Sequence, residues 1–186
     1  MMMLFVFLLV NGAVLSAVMA LELVLFRVRR SFEPNPHPVV LFGGVVSWIE
    51  LRLNSGSASA RRRKGAAAWA VLVLGCAGLG LLAMVLLPLW AYGLVFACTS
   101  AVLLAFSTLA QVVARVGDGL SNSVQQGREA VSHIVGRDTQ ALDEAGVSRA
   151  AIESLAENFS DGVTAPLFWG LRGGLPGLLA YKAGAT

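Results

Sequence analysis

The sequence predicts an all-α fold: a polytopic integral membrane bundle carrying a polar, cytoplasmic helical segment. Composition is the first reason. Hydrophobic residues make up 56% of the chain and charged residues only 13%, with a mean hydropathy of +0.73. A soluble domain carries about twice that charge. The second reason is that the apolar residues gather into runs long enough to span a bilayer, for which about 20 residues suffice as a helix. The third is the separation of charge. The bases crowd between Arg27 and Lys64, whereas the acids crowd between Ile134 and Trp169.

Residues 1–26 form the first expected span, interrupted by Asn11, Ser16 and Glu22. A cleaved signal peptide would carry its bases before the apolar run. Here Arg27, Arg29 and Arg30 follow it, which fits an uncleaved helix ending in the cytoplasm. Glu22 is either a functional acid, as intramembrane acids usually are, or a side chain reaching the interface near Arg27. Ser31–Pro38 reads SFEPNPHP, and its prolines exclude a regular helix. His37 therefore lies on a stiff extended loop, as a proton carrier, a phosphate contact or simply an exposed histidine.

Val39–Leu53 reads as a short apolar helix with Trp48 at an interface, lying on or partly sunk into the cytoplasmic face. The polar linker NSGSASA then leads to Arg61-Arg62-Arg63-Lys64. Such a run directly before a span is a topogenic anchor at the anionic inner leaflet rather than a nucleic-acid site. The next spans are expected at 65–87 and 89–113, separated by Pro88. Trp90 and Tyr92 sit at that turn as an outer aromatic belt would, and Gly75, Gly78 and Gly80 could let helices approach closely. Cys76 and Cys98 lie within these apolar runs, where cysteine acts as a small packing residue.

The segment 114–162 is polar. Its first helix is expected to end at Gly136, and a short helix capped by Asp138 or Thr139 to stop at Gly146. A further helix should start at a Ser148 cap and end at Gly162, placing Glu153, Glu157 and Asp161 at i, i+4 and i+8 on one stripe. Like charges so spaced cost a helix roughly 0.2–0.5 kcal/mol per pair. Either the stripe is a solvated face, or a cation such as Mg²⁺ or an ammonium sits against it. Residues 163–183 are apolar again and broken by Pro166, Gly173-Gly174 and Pro176. A broken helix of this kind lines a cavity or packs inside protein.

The runs GRDTQALDE and AAIESLAENFSDGVTAPLFW, then Pro176-Gly177, Ala180-Tyr181-Lys182-Ala183 and the early His37-Pro38-Val39, resemble the adenosylcobinamide-phosphate synthase family (CobD/CbiB) of cobalamin biosynthesis. The resemblance covers roughly Leu21–Lys182. It implies an ATP- and Mg²⁺-dependent ligase of the inner membrane, working at the cytoplasmic face. Its substrates would be the corrinoid adenosylcobyric acid and aminopropanol or its phosphate; its product would be adenosylcobinamide or the corresponding phosphate.

An amide needs an activated carboxylate, and ATP supplies that activation through an acyl phosphate. Carboxylates suit Mg²⁺, and arginine forks suit phosphate oxygens. No Walker A motif is present. On the matching motifs the resemblance assigns Glu157, Asp161 and His37 to catalysis. It assigns Arg137, Asp138, Asn158 and Lys182 to ATP or substrate, and Glu153, Glu157 and Asp161 to the metal.

The chain departs from the family pattern in three places. The usual Gly-Asp-Pro element is replaced by FRVRRSFEP, and a Gly-Arg pair by Gly43-Gly44. After Tyr-Lys-Ala the family continues with an Asn-Thr-Leu-Asp-type run and further helices, where this chain reads Gly184-Ala185-Thr186. These departures leave a second reading, a non-catalytic membrane scaffold or sensor of the same family. They also raise the expectation that this chain alone is a poor catalyst and joins a second copy or another cobalamin-assembly membrane protein. A transport component fits less well, because the charges lie outside the expected spans.

Overall fold

A computed structural model describes residues 2–29, 51–52, 54 and 56–185. The loop bearing His37 and nearly all of the apolar helix expected at Val39–Leu53 lie outside the described residues. Within them the chain is helical, without strands: α1 (Met2–Arg29), α2 (Ala58–Leu86), α3 (Leu89–Leu103), α4 (Phe106–Asn122), α5 (Val124–Ser132), α6 (Glu144–Phe159), a π-helical turn (Ser160–Thr164) and α7 (Ala165–Gly184). Leu4–Arg27, Ala58–Leu86 and the α3–α4 stretch Leu89–Asn122 are long and apolar enough to cross a membrane. The third is interrupted at Leu104–Ala105, where the sequence reading expected one unbroken helix to Val113.

The chain divides into two compact units. The first gathers the early part of α1 with α2, α3 and α7. Its core is Leu15, Tyr92, Phe96, Leu103, Leu175 and Leu178. α7 is broken as expected: Gly174 takes φ 59° and ψ −147°, and Pro176 follows inside the helix. Only glycine adopts that backbone without strain.

The break separates a normal i→i−4 pair, and other helices satisfy both ends. The Leu175 N–H donates to the Tyr92 hydroxyl at 3.0 Å. The Leu171 carbonyl accepts from Asn11 Nδ2 at 3.3 Å. Freed backbone groups in hydrocarbon cost several kcal/mol each (about 2–7) unless they are paired in this way. Tyr92 therefore does not belong to an outer aromatic belt; it is buried in the core, while Trp90 is 75% exposed.

α2 packs along α7, and of the three glycines singled out above only Gly80 makes that approach. A Cβ there would stand 2.6 Å from the Pro176 backbone, whereas Gly75 and Gly78 face open space. Gly80→Ala is therefore expected to destabilise the protein by about 1–3 kcal/mol through overpacking. Gly78→Ala should be neutral or stabilising by up to ~1 kcal/mol through helix propensity. Thermal unfolding of both variants in detergent checks the contrast; equal melting temperatures would refute it.

The second unit gathers the end of α1 with α4, α5, α6 and the π-turn. Val116, Val131, Val147, Ala150 and Ala151 form its core. Several expected helix limits are corrected here. α5 ends at Ser132, before Gly136, and no short helix spans 139–146. α6 starts earlier than a Ser148 cap would set it: Asp143 is the cap, accepting from the Gly146 N–H at 2.7 Å. Gly146 is thus in the first turn of α6, not at a helix end. A Cβ there would meet the capping Asp143 oxygen at 2.9 Å. Glu144 follows the cap, where an acid favours the helix N-terminus. Gly162 does not stop α6 either; it lies inside the π-turn that leads into α7.

Candidate functional site

The polar groups of the second unit converge where residues 133–143 lie against α6. That loop is tied down at several points. Ser154 Oγ on α6 donates to the Ile134 carbonyl at 2.8 Å. Thr139 Oγ1 donates to the Arg128 carbonyl at 3.1 Å, and Arg128 Nε donates to the Leu142 carbonyl at 2.7 Å. Asp138 accepts the Gln140 N–H at 2.9 Å, so it closes a turn rather than capping a helix. The loop is thereby held as a fixed wall over the face of α6.

Arg137, on this wall, reaches Glu153 across a 2.7 Å ion pair, with both side chains more than half exposed. Glu153 thus has its countercharge. One turn further on, Glu157 is exposed and pairs with no cation among the described residues. Asn158 turns its Nδ2 back onto Ser154, 2.8 Å from the carbonyl and 3.2 Å from the hydroxyl. Asp161 is exposed in the π-turn. The i→i+5 bonding there shifts Asp161 from the phase that i+8 gives on a straight α-helix.

Two adjoining grooves open around these groups. One, of about 340 Å³, is bordered by Gly136, Arg137, Glu153, Glu157 and Asn158. The other, of about 410 Å³, has an apolar wall of Leu109, Val112 and Val113 from α4 and a polar edge at His133 and Asn158. Ile134, Val135, Gly136, Ser154 and Asn158 line both. The result is an open, two-sided site with one face suited to apolar surface and the other to charged or hydrogen-bonding groups.

The structure brings Arg137, Glu153, Glu157 and Asn158 together in this way. Lys182 lies in the last turn of α7, in the first unit, and His37 lies outside the described residues. Among the described residues no three His, Cys, Asp or Glu side chains form a metal-ligand set, so there is no closed all-protein cage. Mg²⁺ seldom uses one: it keeps its waters and binds through one or two carboxylates plus substrate phosphates. The exposed Glu157 and Asp161 fit that open mode.

The sequence reading missed Ser154, Arg128 and His133. Ser154 stands four residues before Asn158 inside the ESLAEN run, so the shared face was there to be seen. Arg128 also reaches Gln125 locally, but the contact that ties down the loop is to Leu142, 14 residues away, and nothing near Arg128 in the sequence marks it. Ser154→Ala is expected to cost about 0.5–1.5 kcal/mol, the net worth of its bond to Ile134. Glu153→Gln should cost under ~1 kcal/mol, because exposed ion pairs contribute little. Melting temperatures in detergent decide it; a larger loss for Glu153→Gln would reverse the order.

The family model described as CobD/Cbib protein matches residues 7–186. Cobalamin biosynthesis protein CobD of Brucella anthropi is 50% identical over 163 residues, covering 81% of this chain and 48% of the relative. The protein of the same name from Sinorhizobium fredii is 51% identical over 155 residues, with the same coverage. That of Halalkalibacterium halodurans is 38% identical over 156 residues, again covering 81% of this chain and 48% of the relative. The chain spans about half the length of the curated relatives it matches. No solved structure matches it.

Proposed function

The chain belongs to the CobD/Cbib protein family, and from that premise we propose that it acts in cobalamin biosynthesis as a membrane amide synthase. In this reading it joins adenosylcobyric acid to aminopropanol or its phosphate at the expense of ATP, at the cytoplasmic face of the inner membrane. The relatives' names support the pathway. The observation that supports the chemistry is Glu157, an acid at the mouth of an open groove that pairs with no cation among the described residues, one turn from an acid whose charge Arg137 already balances.

The proposed chemistry balances in two steps. The corrinoid carboxylate attacks the γ-phosphorus of ATP, giving an acyl phosphate and ADP. The amine then attacks the acyl carbon, phosphate leaves, and the amine proton is lost to a base. Bound Mg²⁺ would supply charge neutralisation for the phosphates, with Glu157 and Asp161 as its protein ligands. Arg137 can turn its free guanidinium donors to phosphate oxygens. Asn158 is pinned to Ser154 through Nδ2, which leaves Oδ1 to accept from an amine or hydroxyl. The groove's open form suits a corrinoid too large for a closed pocket. His37 and Lys182 remain proposed participants on the family motifs alone.

The test is the purified chain in nanodiscs with cobyric acid, either amine and Mg²⁺–ATP, with the amide product read by mass spectrometry. Product that depends on ATP supports the reading. Absence of product in a folded preparation favours the non-catalytic scaffold instead. Orientation is tested separately. The positive-inside bias places Ser57 and Ser121, both exposed, on the cytoplasmic side. Single cysteines at either position should resist an impermeant thiol reagent in intact cells and react after permeabilisation. Labelling in intact cells would reject this orientation.

A further inference from the structure

Glu22 is 4% exposed in a long apolar helix, yet the proposed chemistry makes no use of it. Its Oε2 accepts the Ser107 N–H at 3.0 Å, in the first turn of α4. The cap position of α4 is Ala105, which has no side chain to offer. A serine or aspartate at 105 would satisfy the same orphan donors locally. Here the acceptor comes instead from 85 residues away in sequence, and burying a carboxyl group has a real cost that the α4 dipole only offsets. A local cap would stabilise the helix without fixing where it sits; a cap from α1 does both.

The same first turn of α4 also meets the far end of α6. The Ala105 N–H donates to the Gly162 carbonyl at 3.1 Å. A Cβ on Gly162 would stand 3.2 Å from the Ala105 Cβ and 3.5 Å from Leu109 Cδ1. The Phe106 and Phe159 rings meet edge-on with centroids 6.5 Å apart. One turn of α4 is therefore clamped between Glu22 on α1 and the π-turn that carries Asp161. Leu109 lies on that turn and, with Val112 and Val113, lines the groove that Asn158 also borders.

We infer that Glu22 is a positioning residue for this groove: its carboxyl group holds the start of α4, and so sets the spacing between the α4 wall and the α6 groups. The kinetic part of this inference rests on the amide-synthase reading; the structural part does not.

The test uses the full chain in nanodiscs, with Glu22→Leu, Glu22→Gln and Gly162→Ala, and two readouts. The first is the KM for Mg²⁺–ATP against kcat. The second, independent of activity, is the modification rate of a cysteine placed at Val113, with Cys76 and Cys98 replaced by alanine.

Glu22→Leu should raise KM roughly tenfold with a smaller change in kcat, since small misplacements in a site are costly. It should also change the thiol modification rate several-fold. Glu22→Gln keeps an acceptor oxygen and should restore both values towards those of the parent. Gly162→Ala pushes on the same turn from the other side and should reproduce the Glu22→Leu changes, so it carries the test if Glu22→Leu does not fold. A melting temperature that falls while KM and modification rate stay at parental values means a purely structural cap and overturns the inference. If the parent shows no synthase activity, the functional reading fails and the modification rate alone decides the positioning role.

Discussion

Glu157→Gln is expected to lower ATP-dependent amide formation by about a hundred-fold, roughly 3 kcal/mol of transition-state stabilisation, the scale set by losing a metal or phosphate contact. The same change should leave the protein as stable as before or more stable by roughly 0.2–0.5 kcal/mol, because it removes a like-charge neighbour of Glu153 on α6. Opposite movement of activity and stability is the signature sought. The Gln side chain keeps the volume of Glu, and Glu157 pairs with no cation among the described residues, so no ion pair seen there is broken. Glu144→Gln is the matched control. That acid is also exposed on α6 but lies in the first turn, away from the groove. It should cost about 0.3–1 kcal/mol of stability through the helix dipole and leave turnover unchanged. Turnover and melting curves on both variants check the pair. Full activity in Glu157→Gln would return the acidic stripe to a solvated face.

Much of the architecture was legible because it follows from local rules. Apolar runs of bilayer length gave the three helical stretches long and apolar enough to cross a membrane, Pro88 gave the α2–α3 break, and Gly174 with Pro176 gave the kink in α7. The family resemblance, carried by GRDTQALDE and ESLAENFSDG, marked the part of the chain where the site was sought. What was missed depended on partners distant in sequence. The start of α6 was placed at Ser148; Asp143 caps it instead, at the end of the loop that Arg128 and Thr139 hold in place. The break at Leu104–Ala105 has no proline or glycine to announce it. It is held by Glu22 and Gly162, each more than 50 residues away in sequence. Tyr92 looked like a belt residue because tyrosine favours interfaces; its role became visible only once Leu175 had lost its helical partner. Asp161 left the straight-helix phase because a π-turn begins at Ser160, and π-turns carry no strong sequence signal.

Tyr92→Phe is expected to cost about 1–3 kcal/mol, more than the loss of an ordinary hydrogen bond, because the Leu175 N–H would be left buried without an acceptor. Asn11→Leu should cost less. It strands the Leu171 carbonyl, but it also removes the Asn11 Oδ1, which is buried without a partner and already carries a desolvation cost. The two side chains hold the two ends of one broken backbone bond, so their effects should not add. With both removed, α7 can recover part of the Leu175-to-Leu171 bond by relaxing at Gly174. Pro176 still lacks an N–H and its ring still opposes the carbonyl four residues back, so recovery stays partial. The double variant should therefore be more stable than the sum of the single losses predicts, by at least about 0.5 kcal/mol. Thermal unfolding in detergent gives the cycle, and hydrogen exchange at Leu175 reports the bond itself. Faster exchange in Tyr92→Phe, partly reversed in the double variant, is the expected pattern. Strictly additive losses with unchanged exchange would mean that the kink is held by Gly174 and Pro176 alone, and that Asn11 and Tyr92 merely lie beside it.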